Sequence, residues 1–246
     1  MIIKEFGDRS KPAVILLHGG GLSWWSLEVA AKELAADYHV LTPIIDGHGE
    51  DGHTTFVSIE DSADKLLTYI DEHLGGAVFA LGGLSIGAQI VTHMLTIRPA
   101  ITRFAVIESA LVCPIKGTDA SAEMMKFFYG LTKRRWFAKW QAKALCVPDH
   151  LFERYYKDSM RISKLSLVNI TRSNGNLALN KAISATTAKV LVLAGEKELA
   201  VMKQSAGLIH EAIPSSVLHI LPNMKHGEFS LTQPALYVAM LKVFFK

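Results

Sequence analysis

An α/β fold is predicted, with a mostly parallel sheet of about seven strands and helices on both faces. Three observations predict it. Short runs rich in valine, isoleucine and leucine alternate with amphipathic helical patterns, Gly-, Asp- and Ser-containing turns separate them, and 246 residues, 50% of them hydrophobic, suffice for one large core.

Taken in order, the runs Ile2–Phe6, Ala13–Leu17 and His39–Ile44 are too short for helices and too apolar for surface loops, as expected of buried strands. A helical pattern fills residues 26–36 between the second and third. After them Ser58, with Asp61 three residues on, can cap a helix whose apolar positions Leu66, Leu67 and Ile70 recur at helical spacing until Gly75 and Gly76 stop it. Strands at 78–81 and 104–107 flank a helix at 85–97. Strands at 190–194 and 217–221 are followed by helices at 201–213 and 233–245.

Residues 114–186 break this alternation. They contain no strand pattern but several helical ones, such as 122–145 and 149–160, and they carry 13 of the 26 lysines and arginines against 5 of the 23 aspartates and glutamates. Because sheet patterns resume on the far side, we read residues 1–113 and 187–246 as one core and 114–186 as a basic helical lid inserted in it.

Composition narrows the function classes. Charged residues are 20% of the chain, so disorder is not indicated. The start, MIIKEFGDRS, is no secretory leader, and no apolar run is long enough to span a bilayer, so a cytoplasmic protein without a membrane anchor is expected. Two cysteines, Cys113 and Cys146, are too few for a disulfide framework and read as buried thiols. No metal cluster, cofactor loop or nucleic-acid signature is visible.

Chemistry is signalled at Gly83-Leu84-Ser85-Ile86-Gly87, between a strand and a helix. This G-x-S-x-G pattern makes a sharp turn that exposes the serine hydroxyl, and the helix N-terminus beside it favours developing negative charge. A second glycine loop, His18-Gly19-Gly20-Gly21, ends the second strand. It does not match a phosphate loop, and it would let the N–H of Gly20 join that of Ile86 in an oxyanion hole, with His18 bracing the loop. A serine needs a base, and of ten histidines His226 lies in a loop after the last strand, where ligand sites of parallel sheets gather. His48 and His53, after the third strand, are second choices. For the acid that orients the base, Glu196 and Glu198 follow the sixth strand, and Glu108 ends the fifth.

These residues together resemble the α/β-hydrolase superfamily, of the lidded esterase, lipase and carbon-carbon hydrolase type. The resemblance rests on LLHGGG at 16–21, DGHGE at 46–50, GLSIG at 83–87, GEKE at 195–198 and MKHGEF at 224–229, in the family's order. It implies Ser85 as nucleophile, His226 as base, Glu198 (three residues beyond a glycine) as acid, Gly20 and Ile86 as oxyanion donors, and a structural role for His48. It implies a cofactor-free serine esterase acting on a small ester, while a lyase or perhydrolase, or a small-molecule receptor that keeps the triad, are the rival readings. Members commonly have more chain before the HG loop, so the first edge strand is expected to be missing. The basic lid, with Lys133-Arg134-Arg135-Trp136 at its centre, suggests an anionic substrate, and apolar patches at its edge leave a homodimer open.

Overall fold

The computed structural model describes residues 1–246. Seven strands form one sheet: β1 (Ile2–Phe6), β2 (Ala13–Leu17), β3 (His39–Ile44), β4 (Val78–Leu84), β5 (Thr102–Glu108), β6 (Lys189–Gly195) and β7 (Val217–Leu221). Their order is β1-β3-β2-β4-β5-β6-β7. β1 lies antiparallel on β3, and every other pair is parallel. Ten α-helices surround it: α1 (Glu28–Leu34), α2 (Ile59–His73), α3 (Ile86–Ile97), α4 (Thr118–Thr132), α5 (Arg135–Ala144), α6 (Phe152–Ser159), α7 (Lys164–Asn176), α8 (Ala200–Ala212), α9 (Glu228–Thr232) and α10 (Pro234–Phe244).

The central strands are mostly apolar because alternate side chains enter different cores. Ile15, Leu17, Ala105, Ile107, Val190 and Val192 pack with α2, α3 and α8 on one face. Val14, Leu16, Phe104, Val106, Leu191 and Leu193 pack with α1 and α10 on the other. α2 begins at Ser58, whose hydroxyl accepts the Asp61 N–H at 3.1 Å, as its spacing implies.

Several boundaries differ from the sequence expectation. The pattern at 122–145 is two helices, α4 and α5, interrupted at Lys133-Arg134. The Lys133 ammonium is bound by the carbonyls of Ser159 and Ile162, which fixes that corner. The expected helix at 26–36 begins as a 3₁₀ turn at Trp24–Leu27, and α7 and α9 are additional. Both cysteines are free and partly exposed rather than buried. No helix is long and apolar enough to cross a membrane.

Helices α4 to α7 occupy the connection between β5 and β6, the stretch in which strand patterns are absent. A buried link ties them to the rest of the chain: the Trp25 indole N–H donates to Asp158 on α6 at 2.8 Å. On α7, Ser166 accepts the Phe56 N–H at 3.2 Å, so the helices are anchored over the carboxyl ends of the central strands.

Candidate active site

β4 runs directly into α3, and Ser85 is the corner between them, with φ 53° and ψ −115°. A non-glycine residue at positive φ is strained, and packing holds it there. A Cβ on Gly87 would stand 2.6 Å from the carbonyl oxygens of Leu17 and His18, and one on Gly83 would collide with the Gly87 carbonyl. Only glycines at both positions let the turn close.

The turn delivers Ser85 Oγ to His226. Ser85 Oγ and His226 Nε2 are 3.0 Å apart, and His226 Nδ1–H donates to Glu198 Oε2 at 2.9 Å. With Nδ1 donating, Nε2 is left to accept the serine proton. The imidazole is partly exposed while the Glu198 carboxylate is enclosed. Burial by itself raises the Glu198 pKa. The bond from His226, the Gly195 N–H at 2.6 Å, the charge of His226 and the Ser109 hydroxyl outweigh it and hold the carboxyl below its ordinary range.

Of the sequence candidates, the structure brings Ser85, His226 and Glu198 into one hydrogen-bonded line and leaves the others outside it. Glu196 points to the turn before His226, accepting the Asn223 N–H at 2.8 Å. Glu108 is buried beneath the site, where it accepts the Ser230 N–H at 3.3 Å. His48 is fully buried, its Nδ1–H on the Asp46 carbonyl at 3.0 Å, and His53 lies on the surface against Asp51. His18 braces the glycine loop: Nδ1–H donates to the Gly19 carbonyl at 2.9 Å and Nε2 accepts the Ile45 N–H at 3.1 Å. Burial, with a smaller push from His48, holds the His18 pKa down to about 3, so this ring stays neutral.

Two backbone N–H groups beside the serine are without protein acceptors. The Ile86 N–H opens α3 and so has no partner within the helix, and the Gly20 N–H donates to no acceptor in the protein. Gly20, Ile86, Ser85 and His226 line one cavity of about 360 Å³, walled also by side chains of α4, α5, α6 and α7. No aspartate, glutamate, lysine or arginine lines it, so the basic charge of residues 114–186 lies outside. Adjoining it, and sharing Ser85, His226, Gly20 and Leu145 with it, is a crevice of about 20 Å³ lined also by Leu22, Leu84 and Leu231.

Ser109 escaped the sequence reading. It follows β5 with φ 56°, donates its hydroxyl to Glu198 Oε1 at 2.7 Å and accepts the Gly227 N–H at 3.3 Å. A serine 89 residues from the acid it contacts carries no local signature.

A family model described as the alpha/beta hydrolase family matches residues 14–240. No curated protein matches the sequence. Among solved structures, an esterase of Thermogutta terrifontis is similar at 15% identity and a TM-score of 0.79, over 99% of this chain and 92% of that one. An esterase of Exiguobacterium antarcticum is similar at 17% identity and a TM-score of 0.81, over 99% and 94%. An enol-lactonase of Burkholderia xenovorans LB400 is similar at 13% identity and a TM-score of 0.79, over 99% and 95%. At such identities the likeness establishes the fold, and substrate choice has to be argued from the cavity.

Proposed function

The chain belongs to the alpha/beta hydrolase family, and from that premise we propose that it is a serine hydrolase cleaving a small carboxylic ester through an acyl-enzyme intermediate on Ser85. The observation that carries this reading is the unbroken line from Ser85 Oγ through His226 to Glu198, with bonds of 3.0 and 2.9 Å. A hydroxyl is a weak nucleophile until a base takes its proton, and an imidazole held by a carboxylate is suited to take it.

In the first step Ser85 Oγ attacks the ester carbonyl while its proton passes to His226 Nε2. The carbonyl oxygen becomes an oxyanion that the N–H groups of Ile86 and Gly20 accommodate, a device in which one donor contributes about 3 kcal/mol to the transition state in serine hydrolases. Glu198 stabilises the imidazolium. His226 then returns the proton to the leaving alkoxide, and the alcohol departs from the acyl-enzyme. Water, deprotonated by the same nitrogen, attacks the acyl carbonyl. Collapse of the second tetrahedral intermediate restores Ser85 and frees the acid. Residues 114–186 act in this reading as the lid: α5, α6 and α7 wall the space above Ser85 in which the substrate is held.

The decisive experiment pairs two readouts. A fluorophosphonate should label the native chain and not Ser85→Ala, and turnover of short esters should fall in that variant by roughly 10⁴-fold or more. Near-native ester turnover by Ser85→Ala overturns the assignment. Labelling of Ser85 with no turnover of any ester would favour a receptor.

A further inference from the structure

The lining of the cavity is selective in a way its volume does not reveal. Five aliphatic side chains face it, Ile86, Leu145, Ile162, Leu167 and Ile170, but so do several polar ones that fall into two groups. The hydroxyls of Thr132, Ser159 and Thr171 are each satisfied by a carbonyl three or four residues back in their own helix, at 2.7, 2.7 and 2.9 Å. Their protons are committed, so they offer a substrate an acceptor oxygen only. Tyr155, Gln141 and Asn174 are different. Tyr155 is 3% exposed and its hydroxyl bonds to nothing in the protein, and the side-chain amides of Gln141 and Asn174 are equally uncommitted, Asn174 being held only by its backbone carbonyl.

A hydrogen-bonding group left unmatched when water is expelled costs about as much as the bond it forgoes, so three such groups disfavour a plain alkyl chain. They occur on three separate helices, α6, α5 and α7, and converge on the same space. Charge narrows the choice further. An anion here would meet no lysine or arginine, since none lines the cavity, and the ammonium of Lys133 beside it is bound by two carbonyls. The phenol of Tyr155 is pushed up to about 12 by burial, so it remains a neutral donor across the working range of a histidine base.

Resting on the hydrolase reading above, we propose that the larger half of the substrate is uncharged and oxygenated, presenting a hydroxyl or carbonyl beyond the scissile ester to Tyr155, Gln141 and Asn174. The adjoining crevice of about 20 Å³ at Ser85 takes a methyl-sized partner. Basic residues of the helical segment do not read the substrate, and specificity comes from neutral hydrogen bonding.

The test uses the full chain and two matched ester series. The first is methyl butyrate, methyl 3-hydroxybutyrate (both enantiomers) and monomethyl succinate; the second is butyl acetate and 3-hydroxybutyl acetate. The hydroxylated ester should exceed its plain partner in kcat/KM by about tenfold in one series, the effect of one or two neutral hydrogen bonds, and monomethyl succinate should be the poorest of its set. Tyr155→Phe, Gln141→Leu and Asn174→Leu are then compared as ratios of hydroxylated to plain ester. At least one should shrink that ratio to about threefold or less, acting mainly on KM. Equal rates on hydroxylated and plain esters in both series overturn the proposal, as does a ratio unmoved by all three substitutions, or a preference for monomethyl succinate. If Ser85 is labelled by a fluorophosphonate and plain esters are turned over without preference, this inference alone fails. If Ser85 is not labelled and no ester is cleaved, the hydrolase reading fails and this one with it.

Discussion

Ser109 Oγ donates to Glu198 Oε1 at 2.7 Å and in turn accepts the N–H of Gly227 at 3.3 Å, so one hydroxyl joins the carboxylate to the loop that carries His226. Because Glu198 Oε2 receives His226, Ser109 determines how the carboxylate is turned toward the imidazole. Ser109→Ala is expected to lower kcat by about tenfold, in the range seen when an outer hydrogen-bond partner is removed from a functional group. It also removes one of the bonds that hold the Glu198 carboxyl below its ordinary range. Steady-state rates and a thermal melt of the variant check this; an unchanged kcat with a lowered melting temperature would leave Ser109 a packing residue.

Two glutamates two positions apart have different partners, and kinetics should separate them. Glu198→Gln breaks the charge that stabilises imidazolium and offers the wrong hydrogen-bond character to Nδ1–H, so kcat should fall by roughly 10³ to 10⁴, as for loss of a triad acid. Glu196 accepts the Asn223 N–H at 2.8 Å at the rim of the histidine loop. Its Gln variant keeps an acceptor oxygen there and should retain activity within about threefold. Steady-state rates on one short ester decide, and the reverse order would move the acid to Glu196.

Gly87 supplies a stability prediction rather than a kinetic one. A methyl there would lie 2.6 Å from two carbonyl oxygens of the strand end that carries the glycine loop. Neither β2 nor α3 can retreat without opening the core, so Gly87→Ala should cost several kcal/mol, in the range of overpacked or strained sites. A thermal melt should show a drop of about 10 °C or yield no folded protein. Gly20 is the contrast: a Cβ there meets nothing nearer than Ile86 Cγ2 at 3.8 Å, so Gly20→Ala should melt within a few degrees of the native chain.

How legible was this in the sequence? The strands were, because buried parallel strands announce themselves as apolar runs, and β2 as Ala13–Leu17 needs both faces covered. Ser85 and the loop of His226 were legible because both sit at strand ends, where the topology concentrates ligand sites. The choice of Glu198 over Glu196 and Glu108 was legible only through the family resemblance, since from the residues alone it depends on which side chain turns inward, which the 2.9 Å contact with Nδ1 reports. Ser109 and Tyr155 were hidden for a related reason: each acts through partners far away in the chain. The break between α4 and α5 was invisible because Lys133 and Arg134 are good helix formers, and the corner is imposed by carbonyls from another segment.

Glu108 supplies the final prediction, because its carboxyl is fully buried beside the site without belonging to the hydrogen-bonded line. Oε1 accepts the Ser230 N–H at 3.3 Å, whereas Oε2 and Ser230 Oγ are buried without partners. Burial, only partly offset by Ser230 and reinforced by the charge of Glu198, raises its pKa from 4.5 to about 7. Below pH 4.5 the carboxyl is protonated in both folded and unfolded chains. Between about 4.5 and about 7 the unfolded chain releases the proton while the folded chain keeps it, so this group favours folding less and less as pH rises through that window. Above it the penalty is complete and constant. Glu108→Gln resembles the protonated form at every pH, so its melting temperature should gain on that of the native chain by a few degrees between pH 4.5 and pH 7.5 and then stay level. Thermal melts of both proteins across this range check it, and a difference that does not change with pH would mean that the Glu108 carboxyl titrates in the folded chain as it does in the unfolded one.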